Sequence, residues 1–150
     1  MTEDQFQAKC WQWVWNNYPE TRHCLWAVPN GGERTLEVAV KLKATGVLSG
    51  VHDMHFLWDG QFYTFEFKIG NNHLTKTTIT TSPGGGRRVV YGQEEWGASM
   101  YAQGGVWFEV RPSDPPQDAL FDFQILFERV MCGRYKRCEI IGKENGAPMF

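Results

Sequence analysis

A tight hairpin at Asp59-Gly60 constrains the fold of this chain more than any other feature of its sequence. The dipeptide separates two runs of mainly apolar and aromatic residues, 54–58 and 61–68. Asp-Gly between such runs is typical of a two-residue β-turn, which fixes how the flanking strands pair. The two runs are therefore predicted to pair residue by residue, counting outward from the turn.

The predicted register brings acidic side chains into opposition just beyond the first strand. Asp53 lies opposite Glu66, and directly opposed residues have Cβ atoms roughly 4.5–5.5 Å apart. Alternation along the second strand places Lys68 on the same face as Glu66, in company with Phe62 and Thr64. Two facing carboxylates destabilise a sheet unless a cation lies between them.

This arrangement predicts a site for a hard divalent cation. The carboxylates of Asp53 and Glu66, with the backbone carbonyl of Phe67 and water, suit Mg²⁺. Lys68 would then lie beside a bound water or a phosphate oxygen, an arrangement typical of phosphodiester hydrolysis. The alternative is that Glu66 and Lys68 form an ordinary ion pair on a solvated sheet, with Asp53 as a simple strand-start residue.

Length and composition predict one globular domain spanning residues 1–150. Of the 150 residues, 42% are hydrophobic and 15% aromatic, enough to bury a substantial core. There is no run of about 18 apolar residues and no secretory signal pattern, so we expect an intracellular protein without a membrane partner. The cysteines lack the spacing of a zinc site, and reduced thiols are expected, with a Cys132–Cys138 bridge as the alternative.

A net charge of −2 excludes a chain that is basic throughout. Binding to nucleic acid would therefore need a local basic face. Two stretches qualify: residues 129–143, which are rich in arginine and lysine, and the Gly-Gly-Gly-Arg-Arg stretch at 84–88. For both, the alternative is ordinary solvated surface.

Periodicity and turn residues predict four helices around the hairpin. Thr2 begins the first helix with a capping box, and Tyr18-Pro19 ends it. In the second helix, apolar spacing places Leu36, Ala39 and Val40 toward the core. The remaining predictions are a strand at 23–28, the second helix at 34–44, a hairpin or loop at 70–91, the third helix at 93–102, a strand at 106–111, the fourth helix from Ser113 to Val130, and a tail at 132–150.

Two short motifs flank the hairpin: Gly50-Val51-His52-Asp53 is followed, one short hairpin later, by Glu66-Phe67-Lys68. In order and spacing these motifs resemble the core of the PD-(D/E)XK nucleases. Further motifs along the chain are Pro29-Asn30-Gly31-Gly32, Leu42-Lys43-Ala44-Thr45-Gly46-Val47, Gln93-Glu94-Glu95-Trp96 and Gly104-Gly105. These flanking motifs are similar to those of the VRR-NUC (virus-type replication-repair nuclease) branch.

The resemblance implies an α/β fold with a restriction-endonuclease-like core, a mixed central β-sheet flanked by helices. It implies that Asp53 and Glu66 bind one or two Mg²⁺ or Mn²⁺ ions and that Lys68 positions or activates the attacking water. It assigns Glu3 as a further metal ligand and Gln93 as a residue that orients Lys68 or a phosphate. The alternatives are a first-turn acid favoured by the helix dipole for Glu3 and a polar helix start for Gln93.

The chain departs from the family pattern at two places. His52 occupies the position where the family usually has proline, and segment 70–91 is longer than the family's loop at this point. The arginines of that segment would reach DNA phosphates from beside the active site. The residues predicted to contact DNA are Arg87, Arg88, Lys43 and Asn30.

The function that the resemblance implies is a Mg²⁺-dependent endodeoxyribonuclease selective for branched DNA, such as a Holliday junction, in repair or recombination. Single-domain members of the branch, often phage-encoded, resemble four-way-junction resolvases. We therefore expect a homodimer, with one active site for each of two cuts, in the cytoplasm of a bacterial host. The alternatives are a less selective nicking or single-strand nuclease, and a catalytically silent module on the same fold that binds DNA or a protein partner.

Overall fold

The computed structural model describes residues 1–29 and 34–133, which form a mixed α/β fold. Its elements in chain order are α1 (Glu3–Asn17), a 3₁₀ turn (Pro19–Thr21), β1 (Leu25–Ala27), α2 (Leu36–Ala44), β2 (Met54–Trp58), β3 (Gln61–Phe67), β4 (Thr78–Thr81), β5 (Arg87–Val90), α3 (Gln93–Ala102), β6 (Val106–Val110) and α4 (Phe121–Met131). Within the described ranges, no helix combines the length and apolar character that a bilayer crossing requires.

The central sheet contains four strands in the order β1-β2-β3-β6. β1, β2 and β3 are antiparallel neighbours, whereas β6 pairs parallel with β3, so the sheet is mixed, as expected. At the hairpin turn, Asp59 and Gly60 both have positive φ, 47° and 73°, which suits the turn type that joins twisted strands tightly. Trp58 lies opposite Gln61, and the pairing continues residue by residue along β2. The predicted register is confirmed.

One face of the sheet carries an aromatic core. Phe67 of β3 meets Phe6 of α1 edge-on, with ring centroids 5.7 Å apart, and Phe65 meets Phe123 of α4 at 6.0 Å. These rings are fully buried. Burial of one such side chain contributes roughly 1.5–3 kcal/mol to stability, so this layer fixes β3 firmly against both helices.

The opposite face of the sheet carries polar groups and lies against α3. Thr64 and Glu66 alternate with the core residues of β3, and Trp107 and Glu109 take the matching positions on β6. Gly97 of α3 packs on the Trp107 ring so closely that a Cβ at this position would lie 2.6 Å from it. Glycine thus allows the helix to approach the sheet and brings the start of α3 to the polar face.

The predicted burial of α2 is wrong. The helix forms behind its N-cap Thr35, but it contributes no buried residue: Leu36 is 82% exposed and Val40 60%, and Ala39 is exposed as well. α1 and α4 pack on one face of the sheet and α3 on the other, so little sheet surface remains for α2. Its apolar spacing marks a helix face that the described part of the chain leaves open to solvent.

Segment 70–91 takes the hairpin alternative. β4 and β5 pair antiparallel in a separate two-stranded sheet, and the residues of both strands are exposed. This hairpin stands beside the start of α3, where the Thr77 hydroxyl accepts a hydrogen bond of 3.0 Å from the backbone N–H of Gly92.

The fourth helix begins later than predicted, at Phe121 rather than soon after Ser113. Asp114 and Pro115 each precede a proline, which disfavours helical backbone at these two residues, and residues 113–120 form turns and irregular structure instead. The predictions for the tail beyond Gly133, including the Cys132–Cys138 bridge and most of the basic stretch, fall outside the described residues.

Candidate active site

Asp53 is held at the bend that precedes β2. Its backbone carbonyl accepts a hydrogen bond of 2.8 Å from Val28 N–H, and its Oδ2 accepts one of 2.9 Å from Phe67 N–H. Burial raises the pKa of Asp53, although the bond from Phe67 opposes that shift. The carboxylate is thus fixed beside the end of β3, where the hairpin register predicted it.

Glu66 is the most deeply buried acid of the site, with 1% of its surface exposed. Its Oε1 accepts a hydrogen bond of 2.7 Å from Lys68 Nζ and a second from Gln93 Nε2. Its Oε2 is buried and has no hydrogen-bond partner within the described ranges. Burial, and then the charge of Asp53, raise the pKa of Glu66 to about 8 in spite of the neighbouring ammonium.

Glu3 reaches the same site from the first turn of α1. Its Oε2 lies 3.9 Å from Lys68 Nζ, and its Oε1 accepts a hydrogen bond of 2.8 Å from Asn72 Nδ2. The side chain is one-third exposed, at 34%. Glu3 therefore does more than complement the helix dipole: it joins Asp53 and Glu66 around the ammonium of Lys68.

Gln93, the first residue of α3, also enters the site. Its side-chain N–H donates to Glu66, while its Oε1 accepts a bond of 2.9 Å from Thr75 N–H and its own N–H donates to Thr75 Oγ1 at 3.1 Å. The expected link to Lys68 runs through the Glu66 carboxylate, since both side chains donate to its Oε1.

His52 has a role that the sequence did not reveal. Its ring is fully buried, with Nε2 3.0 Å from the Gln93 carbonyl oxygen and Nδ1 2.8 Å from Thr64 Oγ1. A carbonyl only accepts, so Nε2 carries the hydrogen. Burial lowers the pKa of His52 to about 4, which leaves Nδ1 to accept from the threonine hydroxyl. Alternation along β3 predicts the position of Thr64, but no local signal predicts a partner in a distant helix.

A second group that the sequence did not reveal supports Glu3. Glu109 of β6 lies beside Glu66 in the parallel ladder, and its Oε1 accepts a hydrogen bond of 2.6 Å from Arg111 Nε. The same guanidinium donates to the backbone carbonyl of Asn72, the residue whose side chain holds Glu3. Arg111 thus neutralises an extra carboxylate and fixes the loop that follows β3.

The donors of the site fit a hard divalent cation. Glu66 Oε2 is an unsatisfied buried carboxylate oxygen, and the half-buried carboxyl of Asp53 lies close enough to raise the pKa of Glu66. Mg²⁺ takes oxygen ligands and is usually bound through one or two carboxylates. No group of three or more His, Cys, Asp or Glu side chains with metal-binding geometry occurs in residues 1–29 and 34–133. The Phe67 carbonyl stays a predicted ligand.

The structure brings two of the residues predicted to contact DNA to one cavity. Lys43 of α2 and Arg88 of β5 line one cavity, together with Arg34, which was not predicted. Arg87 is exposed on β5, one position before Arg88. Asn30 lies outside the described residues.

No protein-family model, no curated protein and no solved structure matches this chain. What can be said of its function comes from the site itself.

Proposed function

We propose that this protein is a divalent-metal-dependent endodeoxyribonuclease with a restriction-endonuclease-like core of the VRR-NUC type. The observation that carries the proposal is the convergence of Asp53, Glu66, Lys68, Glu3 and Gln93, which come from the hairpin, α1 and α3. The sequence predicts each of these five residues for this chemistry.

Each side chain of the candidate site has a role in the proposed hydrolysis. A bound Mg²⁺ or Mn²⁺ supplies Lewis-acid stabilisation of the charge that develops on the phosphate. Asp53 and Glu66 Oε2 would hold that ion, with Glu3 as a further carboxylate ligand. Gln93 donates to Glu66 Oε1, and Oε2 has no hydrogen-bond partner among the described residues. Lys68 Nζ orients the attacking water and places a positive charge beside the phosphate.

The preferred substrate in this proposal is branched DNA such as a four-way junction. Two symmetric cuts need two active sites, which a two-fold homodimer supplies. The open face of α2 supports a dimer, because Leu36 and Val40 are 82% and 60% exposed and exposed apolar patches commonly mark protein interfaces. Light scattering of wild type and Leu36→Glu tests this part: a dimer that becomes a monomer is expected.

The decisive experiment for the nuclease compares cleavage of a mobile four-way junction, a flap, single strands and plain duplex, with Mg²⁺, with Mn²⁺ and with a chelator. Lys68→Ala should lower the cleavage rate by at least about 100-fold while DNA binding persists. Lys9→Ala, an exposed lysine of α1, is the matched control and should cut normally.

Each outcome of that experiment discriminates. Metal-dependent paired cuts in the junction support the resolvase, whereas cutting of every substrate indicates a less selective nuclease. Binding without cutting under any metal indicates a silent DNA-binding module. Full activity of Lys68→Ala would remove the proposed mechanism.

A further inference from the structure

A cavity of about 610 Å³ lies between α2 and β5. Ala39, Leu42 and Lys43 of α2 form one wall, and Arg88 and Val89 of β5 form the other. We call it the α2–β5 groove. Residues 49–51, immediately before His52 and Asp53, and the first residue of α3 also line it.

The charged residues that line the groove are all basic. Arg34, Lys43 and Arg88 contribute cations, and no aspartate or glutamate is found among its described lining residues. The chain as a whole has 17 acidic residues and a net charge of −2. A lining with cations and without acids is therefore unlike the average surface of this protein, and it is complementary to phosphate groups.

The groove also offers apolar and aromatic surface to solvent. Tyr91 is 50% exposed, and Leu48 is 58% exposed, with Val47, Val89 and Val90 as further apolar lining. The outside of a paired duplex presents phosphate and sugar, which bind only weakly to apolar and aromatic side chains. An unpaired base binds such side chains more strongly, because its flat face stacks on aromatic rings while the neighbouring phosphates contact cations.

Gln93 connects the groove to the candidate active site. It lines the groove, and its side-chain amide donates to Glu66. Thr75, also in the lining, holds Gln93 through two hydrogen bonds, of 2.9 and 3.1 Å. A strand that lies in the groove therefore ends next to the carboxylates that would hold the metal ion.

From these observations we propose that the α2–β5 groove binds an unpaired nucleotide adjacent to the scissile phosphate, with the base against Tyr91 and the apolar walls and the phosphates on Lys43, Arg88 and Arg34. Its volume lies within the roughly 300–1,000 Å³ of sites for small organic ligands, which suits a nucleotide. This inference rests on the proposed nuclease function, and it narrows the substrate to branched DNA with unpaired nucleotides at the branch.

The first test is binding of a short labelled oligothymidylate to the full chain, measured by fluorescence anisotropy in EDTA. Lys43→Glu and Tyr91→Leu should each weaken binding about tenfold or more, as loss of a phosphate contact and of base stacking predict. Lys41→Glu is the matched control, since Lys41 is an exposed lysine of the same helix outside the groove, and it should change binding less than twofold. Tyr91→Phe should bind as wild type does.

If Lys43→Glu and Lys41→Glu weaken oligonucleotide binding equally, the proposed nucleotide site is refuted, because the overall charge of the protein would then explain binding. A change of oligomeric mass in Tyr91→Leu would also overturn it and would assign this face to contact between copies.

The second test uses cleavage of two junctions that differ only in unpaired thymidines at the branch. Wild type should cut the junction with unpaired thymidines faster, and Tyr91→Leu should lose that preference. Equal cleavage rates of the two junctions by the wild type would refute the proposed nucleotide site but not the proposed nuclease function. If the variants show the predicted pattern of oligonucleotide binding but no metal supports cleavage, the proposed nucleotide site would be supported and the proposed nuclease function refuted.

Discussion

The Nε2 atom of His52 lies 3.0 Å from the backbone carbonyl oxygen of Gln93, 41 positions along the chain. The bond ties the start of α3 to the hairpin, since the other ring nitrogen is 2.8 Å from the Thr64 hydroxyl on β3. The position of the Gln93 side chain on Glu66 thus depends on a buried imidazole that touches neither Glu66 nor Lys68 in the described contacts.

Replacement of His52 by phenylalanine should therefore impair cutting without impairing DNA binding. The change leaves the Thr64 hydroxyl and the Gln93 carbonyl without this partner, at a cost of about 1–3 kcal/mol in stability. We expect the single-turnover cleavage rate to fall about tenfold and the affinity for DNA to stay within twofold. His52→Gln, which keeps a donor and an acceptor, should restore part of the rate. Equal cleavage rates for His52→Phe and His52→Gln would contradict the proposed role of the two His52 hydrogen bonds.

Gly97→Ala should destabilise the fold. A Cβ there would lie 2.6 Å from the Trp107 ring, and that ring is buried and cannot move aside freely. Overpacking of this kind typically costs about 1–3 kcal/mol, against a gain of about 1 kcal/mol in helix propensity. Urea denaturation should show a net loss. Gly84→Ala, with no atom within 4 Å of the new Cβ, is the control and should be nearly neutral.

The stability of the metal-free protein should fall as the pH rises toward 8. The pKa of Glu66 is raised from 4.5 to about 8 in the folded state, so the folded chain holds more protons than the unfolded chain between those values. Stability then decreases with rising pH across that window.

Glu66→Gln isolates this contribution from that of other groups. His52 acts in the opposite sense, because its pKa is lowered from 6.5 to about 4 and its contribution to stability grows as the pH rises through that window. In EDTA, urea titrations at several pH values should show that the difference between Glu66→Gln and wild type grows from pH 5 to pH 8. A difference that stays constant would contradict the raised pKa.

Divalent cations should stabilise the protein more at pH 8 than at pH 6. Metal ligands must be deprotonated, so binding competes with the proton on Glu66. We expect Mn²⁺ or Mg²⁺ to raise the melting temperature in a scan of thermal unfolding, and Asp53→Asn to abolish the shift. Asp59→Asn is the control, since Asp59 lies in the hairpin turn with φ of 47°, a conformation that asparagine adopts readily. An equal shift in Asp53→Asn would place the ion elsewhere.

Features set by neighbours along the chain could be predicted from the sequence. The capping box of Thr2 and Gln5 forms as expected, because both groups lie within one turn of helix. The hairpin register follows from Asp59-Gly60 alone, and with it the approach of Asp53 to the end of β3.

Features set by distant packing could not be predicted. Apolar spacing in α2 identified a helix but not what covers it, since periodicity cannot tell a core face from an open one. The bond from His52 to Gln93 and the support of Asn72 by Arg111 depend on how α3 and β6 dock on β3. The spacing of nearby residues predicts neither of these two contacts.

The ammonium of Lys68 lies 2.7 Å from Glu66 and 3.9 Å from Glu3, so the acidic cluster carries its own counter-ion. Domains that fold only when they bind their metal unfold when a chelator removes it. Here the carboxylates are already partly neutralised from within, and the aromatic layer beneath them requires no ion. Folding of this chain would therefore not depend on the proposed metal ion, so that folding and metal loading would be two separate events.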